Sequence, residues 1–144
     1  MKFTTVRSHF KDWQVVSIQD LRKLDSDFDV RRLVEWQQQG HIKKIVRNFF
    51  VFSDINFDEQ GLFVIANAIC APSYISLEAA LAYYQLIPES VYTVTSVTTR
   101  KTIKFRTPVG DFEYRSIKPE LFFGYTAIPY SDQRYKIAKM EKAM

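Results

Sequence analysis

Between residues 28 and 47 the chain concentrates side chains that suit an anionic, base-bearing polymer. Arg31 and Arg32 stand early in a segment of helical pattern, Gln39 stands at its end, and Lys43, Lys44 and Arg47 follow closely. Arginine pairs with guanine edges and glutamine with adenine, whereas cations at a hairpin tip suit phosphates. At about 100° per residue, Val30, Leu33, Val34 and Gln37 fall on one side of this helix. Phe28, Arg32, Glu35 and Gln39 fall on the other, flanked by Arg31. A helix packed through Val30, Leu33 and Val34 would turn Phe28, Arg31, Arg32 and Gln39 toward a duplex, with Lys43, Lys44 and Arg47 alongside as phosphate contacts. Asp27, Asp29 and Glu35 oppose this use because they repel phosphate. The plainer alternative is a charged face that does no more than meet water.

The flanking segments bear on which of these holds. Phe3, Val6, Phe10 and Trp13 repeat with the spacing of a helical stripe, and the β-prone Trp13-Gln14-Val15-Val16 follows. Ser17 with Asp20 has the spacing of a capping box and opens a short helix to Lys23. Leu24-Asp25-Ser26 breaks it. Ser26 with Asp29 repeats the box and opens the helix that runs to about Gln39, where Gly40 stands in the place of a C-terminal glycine cap. Residues 41–46 and 49–52 read as two strands around a tight Arg47-Asn48 turn. Helix, short strand, helix, helix, hairpin is the order of a winged helix-turn-helix, assigned here to residues 1–55.

Residues 56–144 read as a second, α+β domain. Ser53 to Phe57 is the expected linker. Asp58 to Cys70 is helical in pattern and ends at Pro72, and Ser76 is placed to cap a second helix with Leu77, Ala80, Leu81 and Tyr84 on its apolar face. Alternation then replaces helical spacing, predicting strands at 91–95, 102–106 and 111–115 in an antiparallel sheet. Phe112 and Tyr114 should pack beside Ile103 and Phe105, and Glu113 should pair with Lys104 or Arg106. Pro119 to Tyr125 and Tyr135 to Ala138 are candidates for two more strands. Two separately packed cores are expected, with some aromatics of the first half lying against the second.

The composition narrows the chemistry. With 144 residues, 47% hydrophobic and 15% aromatic, the chain can build a core of ordinary globular kind. Residues 1–55 hold 10 basic and 7 acidic side chains, residues 56–126 hold 6 and 7, and residues 127–144 hold 4 and 2. The front excess is compatible with a nucleic-acid contact. One cysteine, Cys70, and two histidines, His9 and His41, leave no multi-cysteine metal site and no Ser-His or Cys-His pair in the second half. Cys70 reads as a small buried apolar residue. Glycine-rich phosphate loops and nucleophile elbows do not occur, so a protein without catalytic residues, cofactor or metal is expected. No apolar stretch approaches the length of a membrane span, and no apolar leader opens the chain, so a cytoplasmic location is expected.

Three stretches resemble one family. Pro72-Ser73-Tyr74-Ile75-Ser76-Leu77-Glu78-Ala79-Ala80-Leu81, followed by Tyr84-Gln85-Leu86-Ile87-Pro88-Glu89, is similar to a paired motif of AbiEi-type antitoxins from abortive-infection systems, with Gln85 where glycine is usual. Residues 117–125 match a further segment ending in Leu121-Phe122-Phe123-Gly124-Tyr125. Residues 137–144 match another, with Met140 in place of proline. The resemblance runs in order along the chain. It implies a front domain that binds inverted repeats of double-stranded DNA in its own promoter. It implies a second domain that opposes a nucleotidyltransferase-like toxin from the same operon without forming a stable complex with it. Family members continue past the last segment, so the resemblance also implies a second domain cut short at Met144. The alternatives are a winged-helix regulator whose second half senses a ligand or partner, and an enzyme or structural adaptor.

Overall fold

In the computed structural model, which describes residues 2–84 and 93–143, the first elements are α1 (Phe3–His9), β1 (Val16–Ser17), α2 (Ile18–Leu24), α3 (Arg31–Gln38), β2 (Ile42–Val46) and β3 (Phe49–Phe52). The stripe of α1 buries Val6 and Phe10, and Phe3 meets the ring of Trp36 edge-on at 5.4 Å. The helix stops at His9, so Trp13 reaches this core from the following loop, edge-on to Phe10 at 4.8 Å. Ser17 and Asp20 form the expected capping box: Ser17 Oγ accepts the Asp20 N–H at 3.1 Å, and Asp20 Oδ2 accepts the Ser17 N–H at 2.9 Å. The three strands form an antiparallel sheet in the order β1-β3-β2. Asn48, at φ 71°, makes the tight turn between β2 and β3.

The third helix departs from expectation. It begins at Arg31, not Ser26. Asp25 Oδ1 accepts the Asp27 N–H at 3.1 Å and Asp29 Oδ1 accepts the Arg31 N–H at 3.0 Å. These local bonds hold the segment in turns rather than helix. Phe28 drops from those turns into the core beside Trp36, 5.7 Å between ring centroids. The far end behaves as expected. Gly40 has φ 81°, the His41 N–H donates to the Trp36 carbonyl at 2.9 Å and the Gly40 N–H to that of Gln37 at 3.1 Å. That pair of bonds is a Schellman ending.

The remaining elements are α4 (Glu59–Ile69), β4 (Ser73–Ile75), α5 (Leu77–Tyr83), β5 (Thr93–Thr98), β6 (Ile103–Thr107), β7 (Gly110–Ser116), a 3-10 turn (Pro119–Leu121), β8 (Tyr125–Tyr130), β9 (Gln133–Ala138) and α6 (Met140–Ala143). Their sheet has the order β6-β7-β5-β4-β9-β8. The expected antiparallel sheet is instead mixed, because β5 with β7 and β4 with β9 run parallel. The order follows burial. Strand β7 brings the fully buried Phe112 and Tyr114 and takes the place beside β5. Strand β6, with exposed Lys104 and Arg106 and half-exposed Ile103, takes the edge, where charge protects unpaired backbone. Lys104 Nζ lies 3.1 Å from Glu113, as the alternation anticipates.

The Pro119–Tyr125 strand is also corrected. Proline opens a 3-10 turn there, Gly124 bends at φ 80°, and the strand starts only at Tyr125. Residues Val91 and Tyr92 of the expected first strand, and Gln85–Glu89 of the motif turn, lie outside the described residues.

Two interactions across the sheet complete helix ends. Ser76 stands at the start of α5, but its side chain does not cap the helix. Thr95 of β5 does so: its Oγ1 accepts the Ala79 N–H at 3.0 Å and donates to the Ser76 carbonyl at 2.7 Å. At the last turn of α4 the Tyr114 hydroxyl donates to the Ala66 carbonyl, one of the acceptors that a helix end leaves without a partner.

Two clusters of buried side chains form the core. The smaller joins Val6, Phe10, Val16, Leu21, Phe28, Trp36, Ile42, Phe50 and Phe52. The larger is centred on α4 and the six-stranded sheet and takes in Val15, Ile45 and Val51 from the first half of the chain.

Candidate nucleic-acid interface

The sequence selected seven residues around α3 and the hairpin, and the structure sorts them. Phe28 is removed from the surface: 6% exposed, it is a wall of the smaller core, so it cannot touch a ligand. Arg31, Arg32, Gln39, Lys43, Lys44 and Arg47 are exposed. They do not share one face.

The orientation of α3 is the reason. Trp36 is its one buried residue among those described and Leu33 is partly buried, while Val30 and Val34 are 40% and 56% exposed. The face expected to pack through Val30 and Val34 is therefore open. The inward side is set by the indole of Trp36, the bulkiest apolar group of the helix. At about 100° per residue, the outermost line of α3 passes through Arg31, Val34 and Gln38. Val30 and Gln37 flank it on one side, Glu35 and Gln39 on the other. The expectation fails at two points: the helix does not extend back to Ser26, so Phe28 is no part of its outer face, and Trp36 rather than Val30 and Val34 turns inward.

Val30, Leu33, Val34 and Gln37 line a groove of about 210 Å³ whose far wall is Lys44, Arg47, Asn48, Phe49 and Phe50 of the hairpin, with Ile18 and Ile42 at its base. Among the described residues no carboxylate lines it. Lys44 and Arg47 are thus brought together with the helix. Lys43 is not: adjacent residues of a strand point to opposite faces, and Lys43 lines a different hollow with Phe57, Pro108 and Val109.

Arg31 is held by an acid. Its Nη2 lies 2.9 Å and its Nε 3.1 Å from Asp29 Oδ2. The hydrogen bonds from Arg31 hold the Asp29 carboxyl below its ordinary range, and those to Asp29 raise the guanidinium. Arg32 and Gln39 stand on the flank of α3 away from the hairpin. Val30, Val34, Gln37 and Asn48, which also line this groove, are not among the seven residues the sequence selected. Trp36 takes the place in the core that the two valines were expected to fill.

In the second half, the three stretches of family-like sequence meet at one end of the larger sheet. The Tyr74 ring stacks on Tyr125 and tilts against Phe122, both at 5.0 Å. The Lys139 N–H donates to the Gly124 carbonyl at 2.8 Å, and Lys142 Nζ lies 4.1 Å from the Phe123 ring centre. Cys70 is buried against Thr98. Among the described residues no three His, Cys, Asp or Glu side chains gather as a metal site, and no helix is long and apolar enough to cross a membrane.

Comparison with models of known families and with curated proteins finds no match to this chain.

Proposed function

We propose that this chain binds double-stranded DNA through α3 and the β2–β3 hairpin, as a winged helix-turn-helix, and that it represses its own operon. The observation that carries the reading is the groove between helix and hairpin. Among the described residues its lining holds two cations, Lys44 and Arg47, two amides, Gln37 and Asn48, and no carboxylate. A recognition helix with basic side chains on a neighbouring hairpin is the arrangement that sets base contacts beside phosphate contacts. The supporting order of elements is α1, β1, α2, α3 and the hairpin, with the turn before α3 tied by Asp25 and Asp29.

The second half, by its resemblance to AbiEi-type antitoxins, is proposed to oppose a toxin encoded beside it. Residues 1–55 would serve the DNA and residues 56–144 the antagonism. The contacts of Tyr74 with Phe122 and Tyr125, of Lys142 with Phe123, and of the Lys139 N–H with the Gly124 carbonyl bring the family-like stretches together, which supports this reading.

The test is a binding titration against the DNA upstream of the chain's own gene, repeated across salt concentrations. Affinity should fall by roughly 0.9 log units per log unit of salt for each phosphate neutralised. A flat salt response removes the DNA-binding reading. Expression beside the neighbouring gene product then tests the antagonism: growth should be rescued by the full chain.

A further inference from the structure

Val30 and Val34 do not serve the core. Val30, the N-cap residue of α3, and Val34 within it stand one helical turn apart, 40% and 56% exposed, and the other exposed residues of the helix are arginines, glutamines and a glutamate. Both line the groove that faces Lys44, Arg47 and Asn48. An apolar pair in that position needs an occupant with apolar points on it, and two cations, with no acid beside them among the described residues, select an anionic one. The major groove of DNA offers both at once: phosphates along its walls, and the 5-methyl group of each thymine projecting from its floor.

Resting on the DNA-binding reading above, we infer that Val30 and Val34 are specificity residues that contact thymine methyl groups, with Gln37 beside them within reach of base edges and Lys44 and Arg47 holding the flanking phosphates. Sequence preference would then come from apolar contacts on the hairpin side of α3, more than from Arg32 and Gln39 on its other flank.

The experiment uses the full chain. A duplex is enriched by the protein from a random-sequence library, and each of its thymines is replaced singly by deoxyuridine, which lacks only the 5-methyl group. At one or two positions the wild-type protein should lose about fourfold in affinity, the value of one buried methyl. Val34→Ala, an exposed substitution that leaves the Trp36 packing intact, should bind thymine and deoxyuridine equally at one of those positions, and Val30→Ala at a neighbouring one. A wild-type protein that binds the enriched duplex tightly yet ignores every methyl overturns the inference and leaves the DNA reading standing. A Val34→Ala protein that keeps the wild-type preference at every position does the same. If Val34→Ala instead dissolves a dimer seen by sedimentation while methyl preference is unchanged, the face is a contact between copies, and the inference falls. Failure to enrich any sequence overturns the inference together with the reading beneath it.

Discussion

Arg31 spends its guanidinium on Asp29, two residues before it, at 2.9 Å and 3.1 Å, while the same carboxylate accepts the Arg31 backbone N–H at 3.0 Å. The carboxylate that shapes the turn before α3 therefore cancels the first cation of the helix. Asp29→Asn keeps a side-chain oxygen for the backbone bond and removes the charge. Affinity for duplex DNA of any sequence should rise, and the salt dependence should steepen by about 0.9 log units per log unit, one phosphate's worth. Titrations of both proteins across salt check this. Identical slopes would show that Arg31 does not face the phosphate backbone.

The two adjacent lysines should behave differently. Lys44 lines the groove with Arg47, and Lys43 lies on the other face of β2 near Pro108 and Val109. Lys44→Ala and Arg47→Ala should each weaken specific and random duplexes alike and each flatten the salt slope by about 0.9. Lys43→Ala should leave the slope near the wild-type value. A larger effect at Lys43 than at Lys44 would place the DNA on the wrong side of the hairpin.

What could be read in the sequence was local. The Ser17–Asp20 box, the Gly40 ending and the Arg47-Asn48 turn are each set by residues a few positions apart, and all three form. The Lys104–Glu113 pair also followed, because period-two alternation fixes which side chains share a face. The misreadings needed distant information. Phe28 and Trp36 compete with Val30 and Val34 for one core, and only the tertiary packing decides the winner. Strand β4 has three residues, too few for a pattern, and is made a central strand by β5 and β9 on either side. Thr95 displaces Ser76 as the cap of α5 from another strand altogether. The parallel pairing of β5 with β7 depends on which strand can tolerate an edge.

Alkaline pH should unfold the chain through buried tyrosine. Burial, with the Cys70 thiol nearby, pushes the Tyr114 hydroxyl well above its ordinary value of 10.0, and burial pushes Tyr135 the same way. In the unfolded chain both ionise near that value. Stability is therefore unaffected by these groups below pH 10, and falls as pH rises above it, by about 1.4 kcal/mol per pH unit for each tyrosine held protonated. Tyrosinate absorbance should appear in step with loss of helical circular dichroism. Tyr114→Phe should cost about 0.5–1.5 kcal/mol at neutral pH, through the lost bond to Ala66, and should make the alkaline decline shallower. An equally steep decline in Tyr114→Phe would remove this hydroxyl as a cause.

The last prediction concerns how far the two halves are independent. The side-chain amide of Gln133 accepts the Gln14 N–H at 2.6 Å and donates to the Val15 carbonyl at 3.0 Å. Beside that clamp Val15, Ile45 and Val51 lie within the larger core. Gln133→Ala leaves two part-buried backbone groups without partners and should cost about 1–3 kcal/mol. Gln133→Glu is the sharper variant. Its carboxylate can still accept from Gln14 but faces the Val15 carbonyl with no proton to donate. Its pKa should rise in the folded state, so its defect should shrink as pH falls and the carboxyl regains a proton. The chain carries its own two reporters, since Trp13 and Trp36 lie in residues 1–55 and all 8 tyrosines lie beyond residue 55. Urea unfolding followed by tryptophan fluorescence and by near-ultraviolet tyrosine circular dichroism should give superimposed curves for the full chain. Residues 1–55 alone, without the side chains that cover Val15, Ile45 and Val51, should melt well below it and bind DNA weakly. Two separate transitions in the full chain, with the tryptophan curve unchanged by Gln133→Ala, would show that the shared core does not couple the halves.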